Sequence, residues 1–252
     1  MTKLSLCIEP VLTELDFYDR IPVAAELGFD AIEFWAPEGR DLARIARLAS
    51  QNSLAVSICC VKDAWATRMN APASKVVAKI SESMKIAKDM GCKALIALAG
   101  DIEGRADSQK NILIENLRRV AETAAKEEVM LTLEVLNSLV DHKGYYLDSS
   151  AIGFEIVKTV GCDFIKLLYD IYHMQIMEGN VIETISRNMP FIGHFHSAGV
   201  PGRHELFNGE NDYRNILKAI EAAGYEGFFG LEYWPTYDHR QSLKDVLSYL
   251  QA

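Results

Sequence analysis

The chain has 252 residues, with 26 Lys+Arg against 35 Asp+Glu for a formal net charge of −9, and it is 49% hydrophobic and 24% charged. At this length a fold can bury roughly three quarters of its unfolded surface, enough for one large core. The acidic balance argues against a nucleic-acid partner, which would select a face of clustered Lys and Arg, and no apolar run reaches the roughly 18–20 residues of a membrane helix.

The first residues, MTKLSLCIEP, place Glu9 and Pro10 where the apolar part of a signal peptide would continue, so a cytoplasmic protein is expected. Short β-type runs then follow in order over residues 4–8, 31–35, 55–60, 94–98, 130–135, 164–169, 191–196 and 228–233. Between them lie helical patterns such as Val76, Ile80, Met84, Ala87 and Leu113, Leu117, Val120, Ala124, each of which gathers its apolar residues into one stripe. The five cysteines Cys7, Cys59, Cys60, Cys92 and Cys162 are an odd number without C-x-x-C spacing and read as small core residues.

Strands apolar nearly throughout are buried on both faces, and alternation with helices implies a parallel sheet. Eight such units in one chain predict an α/β fold, a single (β/α)8 TIM barrel over residues 1–252. An open doubly wound sheet is the runner-up, but Leu98-Ala99-Gly100-Asp101 offers one glycine where a dinucleotide fingerprint needs three, so no nucleotide cofactor is expected.

A barrel of this kind places its chemistry at the C-terminal ends of the strands. The fifth run reaches Glu134, the sixth Asp170, the seventh His196 and the eighth Glu232. Carboxylates converging in a dry barrel mouth are costly unless paired or coordinated. A divalent cation, Mn²⁺ or Mg²⁺ ahead of Co²⁺ or Zn²⁺, is therefore expected among these four groups. The competing reading is a set of rim ion pairs with lysines such as Lys166.

The run Tyr169-Asp-Ile-Tyr-His173-Met-Gln-Ile-Met-Glu-Gly-Asn180, together with Leu133-Glu134-Val-Leu-Asn137, Gly193-His-Phe-His196, Val200-Pro-Gly-Arg203-His-Glu205 and Gly230-Leu-Glu232-Tyr233, resembles the hydroxypyruvate isomerase family. That family lies among the xylose-isomerase-like sugar isomerase and epimerase barrels. The resemblance implies a metal held by Glu134, Asp170, His196 and Glu232, with Glu134 and Glu232 doubling as proton donor and acceptor. It implies an intramolecular oxidoreductase of the aldose–ketose type that works through an enediolate, interconverting hydroxypyruvate and tartronate semialdehyde or a related small oxo-acid or sugar. The alternative is a ketose 3-epimerase of the tagatose or psicose type. His196 departs from hydroxypyruvate isomerases, which have Gln there, and Val140 departs from the epimerases, which have Glu. Related barrels pair or form tetramers, so a homo-oligomer is an open expectation.

The resemblance also makes His173 a hydrogen-bond partner of a substrate oxygen. Arg203, in the loop after the seventh run, carries a guanidinium suited to a substrate carboxylate, and Asn137 is expected to line the pocket. Trp35 and Trp65 are candidate apolar walls. His142 and Lys143 are candidate lid residues, and His239 reads as solvated on the last helix. Glu9, Glu33, Lys62 and Asp101 close the first four strands as pocket or rim residues. His196 is assigned to the cavity and His194 to the helical layer.

Overall fold

The computed structural model describes residues 2–102 and 106–251. Its elements run β1 (Lys3–Cys7), α1 (Arg20–Leu27), β2 (Ala31–Phe34), α2 (Leu42–Gln51), β3 (Ala55–Cys60), α3 (Ala73–Met90), β4 (Ala94–Leu98), α4 (Ala106–Glu127) and β5 (Met130–Glu134). They continue through α5 (Ser150–Val160), β6 (Ile165–Asp170), α6 (Ile171–Met177), α7 (Val181–Asn188), β7 (Ile192–Ser197), α8 (Tyr213–Ala222), β8 (Phe228–Leu231) and α9 (His239–Gln251). Parallel neighbours cannot be joined by a tight turn, so every strand is followed by a crossover segment that returns over the outside of the sheet. Each strand pairs in parallel with the next and β1 pairs with β8, which closes an eight-stranded barrel among the described residues.

The expected barrel is the one observed, with strand bounds shifted by one or two residues. β8 stops at Leu231, so Glu232 and Tyr233 lie just past the strand, although Glu232 N–H still donates to the Ser197 carbonyl at 3.0 Å. The helical stripes behave as their spacing requires: Val76, Ile80, Met84 and Ala87 of α3 and Leu113, Leu117, Val120 and Ala124 of α4 are all buried. α3 then ends on Gly91, whose φ of 74° is the left-handed turn that glycine enters without strain.

Two packed layers result. Outside the barrel, aromatic side chains pack against one another, as where the Phe195 ring meets Tyr225 at 4.9 Å and Tyr169 at 6.3 Å. Inside it, a polar layer lies at mid-strand: the Ser5 and Ser57 hydroxyls are 2.7 Å apart, and Ser57 Oγ donates to Glu33 Oε2 at 3.1 Å. The five cysteines are free thiols, four of them buried. Among the described residues no helix is long and apolar enough to cross a membrane.

Candidate active site

Glu134 ends β5, Asp170 ends β6, His196 is the penultimate residue of β7 and Glu232 follows β8 directly. Parallel closure brings these strand ends to one mouth, and β6–β7 pairing sets Asp170 beside His196. One ligand-type atom from each of the four buried side chains lies within 4.8 Å of the others. His196 Nδ1 stands 3.1 Å from Glu232 Oε2 and 3.6 Å from Glu134 Oε1.

The three carboxylates load this point with negative charge, and the surrounding groups answer it unevenly. Glu232 is the most heavily held: Trp35 Nε1–H donates to its Oε1 at 2.5 Å and the Arg203 guanidinium to its Oε2. Burial pushes the Glu232 carboxyl up, but Arg203 and His196 outweigh burial and hold it well below the usual carboxylate range. Asp170 is pushed up to about 7, chiefly by burial, with Arg203 opposing and Glu232 adding to the rise. Burial opposes charge on His196, yet Glu232 and Glu33 raise it well above an ordinary histidine.

Three buried carboxylates and one imidazole form a donor set of the kind that divalent cations occupy. His196 Nδ1, turned toward Glu134 and Glu232, has no aligned hydrogen-bond partner among the described residues. An imidazole nitrogen without an aligned hydrogen bond, facing excess carboxylate charge, suits a cation site, so the residues present fit one.

Below this cluster the structure departs from expectation. Side chains two apart in a strand share a face, so His194 points into the barrel with His196, and Phe195 alone faces the helices. Glu33, fully buried on β2, receives both rings: His194 Nε2 lies 2.9 Å from Oε2 and His196 Nε2 3.0 Å from Oε1. Glu33 is thus neither a pocket wall nor a rim partner but the floor beneath the cluster. Burial pushes its carboxyl up, and the two histidines reverse that and hold it below the ordinary range.

Gly230 makes room for this floor, because a Cβ there would press into Glu33 Oε1 and lie 2.8 Å from His196 Cδ2 and 2.9 Å from the Phe195 carbonyl oxygen. Gly230→Ala is expected to cost roughly 1–3 kcal/mol, since a packed barrel interior has no slack for a methyl group. Thermal denaturation beside a surface Gly→Ala control checks this, and an unchanged midpoint would show that the floor gives way freely.

Beside the cluster is a cavity of about 150 Å³ lined by Trp35, Trp65, Leu136, His142, His173 and Trp234, with Glu134, His196, Arg203 and Glu232 also in its wall. Trp35 and Trp65 are therefore walls, as expected. His142 stacks on Trp65 at 6.0 Å between centroids and is half-buried in the cavity wall, whereas Lys143 is exposed. Trp234, not among the residues expected from the sequence, packs 5.0 Å from the Arg203 guanidinium, with Tyr172 at 5.2 Å from it. Its signal was an aromatic residue immediately after Glu232-Tyr233.

Arg203 lines the cavity while its Nη2 reaches Glu232 and lies 3.5 Å from Asp170 Oδ2. His173 is fully buried, and burial, Arg203 and His142 keep it well below an ordinary histidine. Asn137, expected to line the pocket, is not among the cavity's lining residues: it is fully buried and its amide bonds to Val140, Asp141 and His173. Lys62, Glu9 and Asp101 pair with Glu82, Arg40 and Arg68. His239 is only partly exposed, 3.4 Å from Glu14.

The family model described as the xylose isomerase-like TIM barrel matches residues 21–252. The chain is 30% identical over 244 residues to the hydroxypyruvate isomerase of Escherichia coli (strain K12), covering 93% of this chain and 94% of the relative. It is 31% identical over 244 residues to the 2-oxo-tetronate isomerase of Cupriavidus necator, with the same coverage of 93% and 94%. A crystal structure described as an AP endonuclease, family 2, from Brucella melitensis superposes with a TM-score of 0.92 at 28% identity over 99% of both chains.

Proposed function

The chain belongs to the xylose isomerase-like TIM barrel family and is an isomerase, and from that premise we propose that it interconverts a small α-hydroxy ketone and aldehyde through an enediolate. Hydroxypyruvate and tartronate semialdehyde, or a closely related oxo-acid, are the proposed pair. The observation that carries this reading is the convergence of Glu134 and Glu232 with Asp170 and His196 beside one small cavity. Its volume lies below the roughly 300–1,000 Å³ of sites for drug-sized ligands, which suits a molecule of few carbons.

Glu134, Asp170, His196 and Glu232 would hold a divalent cation, with Mn²⁺ or Mg²⁺ as the first choices. When bound, such an ion supplies Lewis-acid stabilisation of negative charge that develops on neighbouring substrate oxygens. One of the two glutamates takes the proton from the hydroxyl-bearing carbon, and the C–H electron pair becomes the double bond of the enediolate. The other, protonated at the outset, delivers its proton to the adjacent carbon while the hydroxyl proton ends on the former carbonyl oxygen, and the two glutamates recover their starting states by proton exchange with solvent. Each such transfer contributes typically ~10²–10⁴-fold. Trp35 fixes one oxygen of Glu232 during these transfers.

Arg203 holds the substrate carboxylate in this reading, its guanidinium placed before binding by its pairing with Glu232 and by the Tyr172 and Trp234 rings 5.2 and 5.0 Å away. Arg203→Ala is expected to raise KM for an acidic substrate by about 10- to 100-fold more than for a neutral ketose, the worth of a charge-assisted hydrogen bond. Equal effects on both substrates would end the carboxylate assignment.

The reaction is tested by proton NMR of Mg²⁺-loaded protein in D₂O with hydroxypyruvate and, separately, with fructose, tagatose and psicose. Formation of tartronate semialdehyde with solvent deuterium is the expected result. Exchange at C3 of a ketose with hydroxypyruvate untouched would make the protein an epimerase.

A further inference from the structure

Asn137 lies in the loop after β5, and its side-chain oxygen accepts the backbone N–H groups of Val140 at 3.0 Å and Asp141 at 2.9 Å. A backbone amide only donates, so this end of the side chain is the carbonyl and the opposite end is the NH₂ group. The NH₂ group donates to Asp141 Oδ2 at 2.7 Å and lies 2.6 Å from His173 Nδ1. A carboxylate only accepts, so one amide hydrogen goes to Asp141 and the other points at the ring. His173 Nδ1 must then present a lone pair, and an imidazole with a bare Nδ1 carries its proton on Nε2. That Nε2 has no aligned partner among the described residues, stands 3.4 Å from Asp170 Oδ2, and belongs to a ring that lines the cavity.

We propose that Asn137 is a positioning residue that holds His173 as the neutral Nε2–H tautomer, making His173 a fixed hydrogen-bond donor toward a substrate oxygen and barring it from acting as a base. A neutral imidazole in this role polarises a carbonyl and stabilises an enediolate oxygen without surrendering its proton. The glutamates keep the proton transfers to themselves. The same amide also ties two backbone groups of the 138–149 loop, so the tautomer and the placement of His142 share one anchor. The catalytic consequence rests on the proposed isomerisation, whereas the tautomer does not.

The experiment uses the intact Mg²⁺-loaded protein labelled with ¹⁵N-histidine. Long-range ¹H–¹⁵N spectra near neutral pH report which nitrogen of each of the six histidines is protonated, with His173 identified by its disappearance in His173→Gln. The expected wild-type pattern is Nε2–H with a bare Nδ1. In Asn137→Asp the donor becomes an acceptor, and His173 is expected to gain a proton on Nδ1. The paired change Asn137→Asp with Asp141→Asn keeps a hydrogen bond between the two positions while reversing polarity toward the ring, and guards against misfolding of the single variant. Both variants should lower kcat by about 10²–10³-fold with little change in KM, the cost of one misdirected donor in a transition state.

A wild-type His173 protonated on Nδ1 would overturn the inference, as would an unchanged tautomer in both folded variants. An Nε2–H wild type that leaves hydroxypyruvate and all three ketoses untouched would uphold the positioning by Asn137 and remove the proposed reaction instead.

Discussion

Replacement of Glu134 or Glu232 by glutamine is expected to lower kcat by ~10²–10⁴-fold or more, since each change removes a proton-transfer group and a cation ligand together. At about 1.4 kcal/mol per decade, that is roughly 3–6 kcal/mol of transition-state stabilisation. The two variants should differ in stability. Glu232 accepts from Trp35 on one oxygen and from Arg203 on the other, so a glutamine must set its NH₂ group against a donor, at a cost of about 1–3 kcal/mol. Glu134 has no such pair of donors in the bonds described above, and its neutralisation relieves repulsion within the cluster. A lower denaturation midpoint for Glu232→Gln, with Glu134→Gln near wild type, is the expected pattern. Near-normal turnover in either folded variant would remove that residue from the acid–base pair.

Removal of divalent metal is expected to abolish turnover reversibly. The reasoning is electrostatic: Glu134, Asp170 and Glu232 meet in a buried mouth where Arg203 and His196 offset only part of their charge. Each ion brought to such a site is bound by the folded chain and not by the unfolded one, so it also stabilises the fold, by about 2.7 kcal/mol at a hundredfold excess over Kd. For a chain of this size that corresponds to a rise of roughly 5–10 °C in the midpoint. Dialysis against a chelator, followed by activity and calorimetry with and without added Mn²⁺ or Mg²⁺, measures both. Full activity in metal-free protein would overturn the mechanism, and a midpoint indifferent to both ions would place the cation elsewhere.

Part of the site was legible because it follows from local pattern. The eight apolar runs predict strands, the alternation with helices predicts parallel pairing, and a parallel barrel must present all its strand ends at one mouth. Glu134, Asp170, His196 and Glu232 are therefore grouped by the sequence pattern alone. The assignment of His194 to the helical layer was a misreading of the same rule, because residues two apart share a face. Motif membership places Asn137 near the pocket, but it does not say which partners the amide takes.

The sequence by itself determined the barrel, the amphipathic helices around it and the end at which the chemistry gathers, because strand and helix periodicity and the cost of burying charge are properties of neighbouring residues. Only the tertiary structure decided which groups face one another. The pairing of His194 with Glu33 joins residues 161 apart, and that of Trp35 with Glu232 joins residues 197 apart. The same holds for the approach of Arg203 to Tyr172 and Trp234 and for the Asn137–His173 bond. Such contacts depend on how the strands tilt as the barrel closes and on the rotamers that a packed interior leaves open, and both are settled by the whole chain at once.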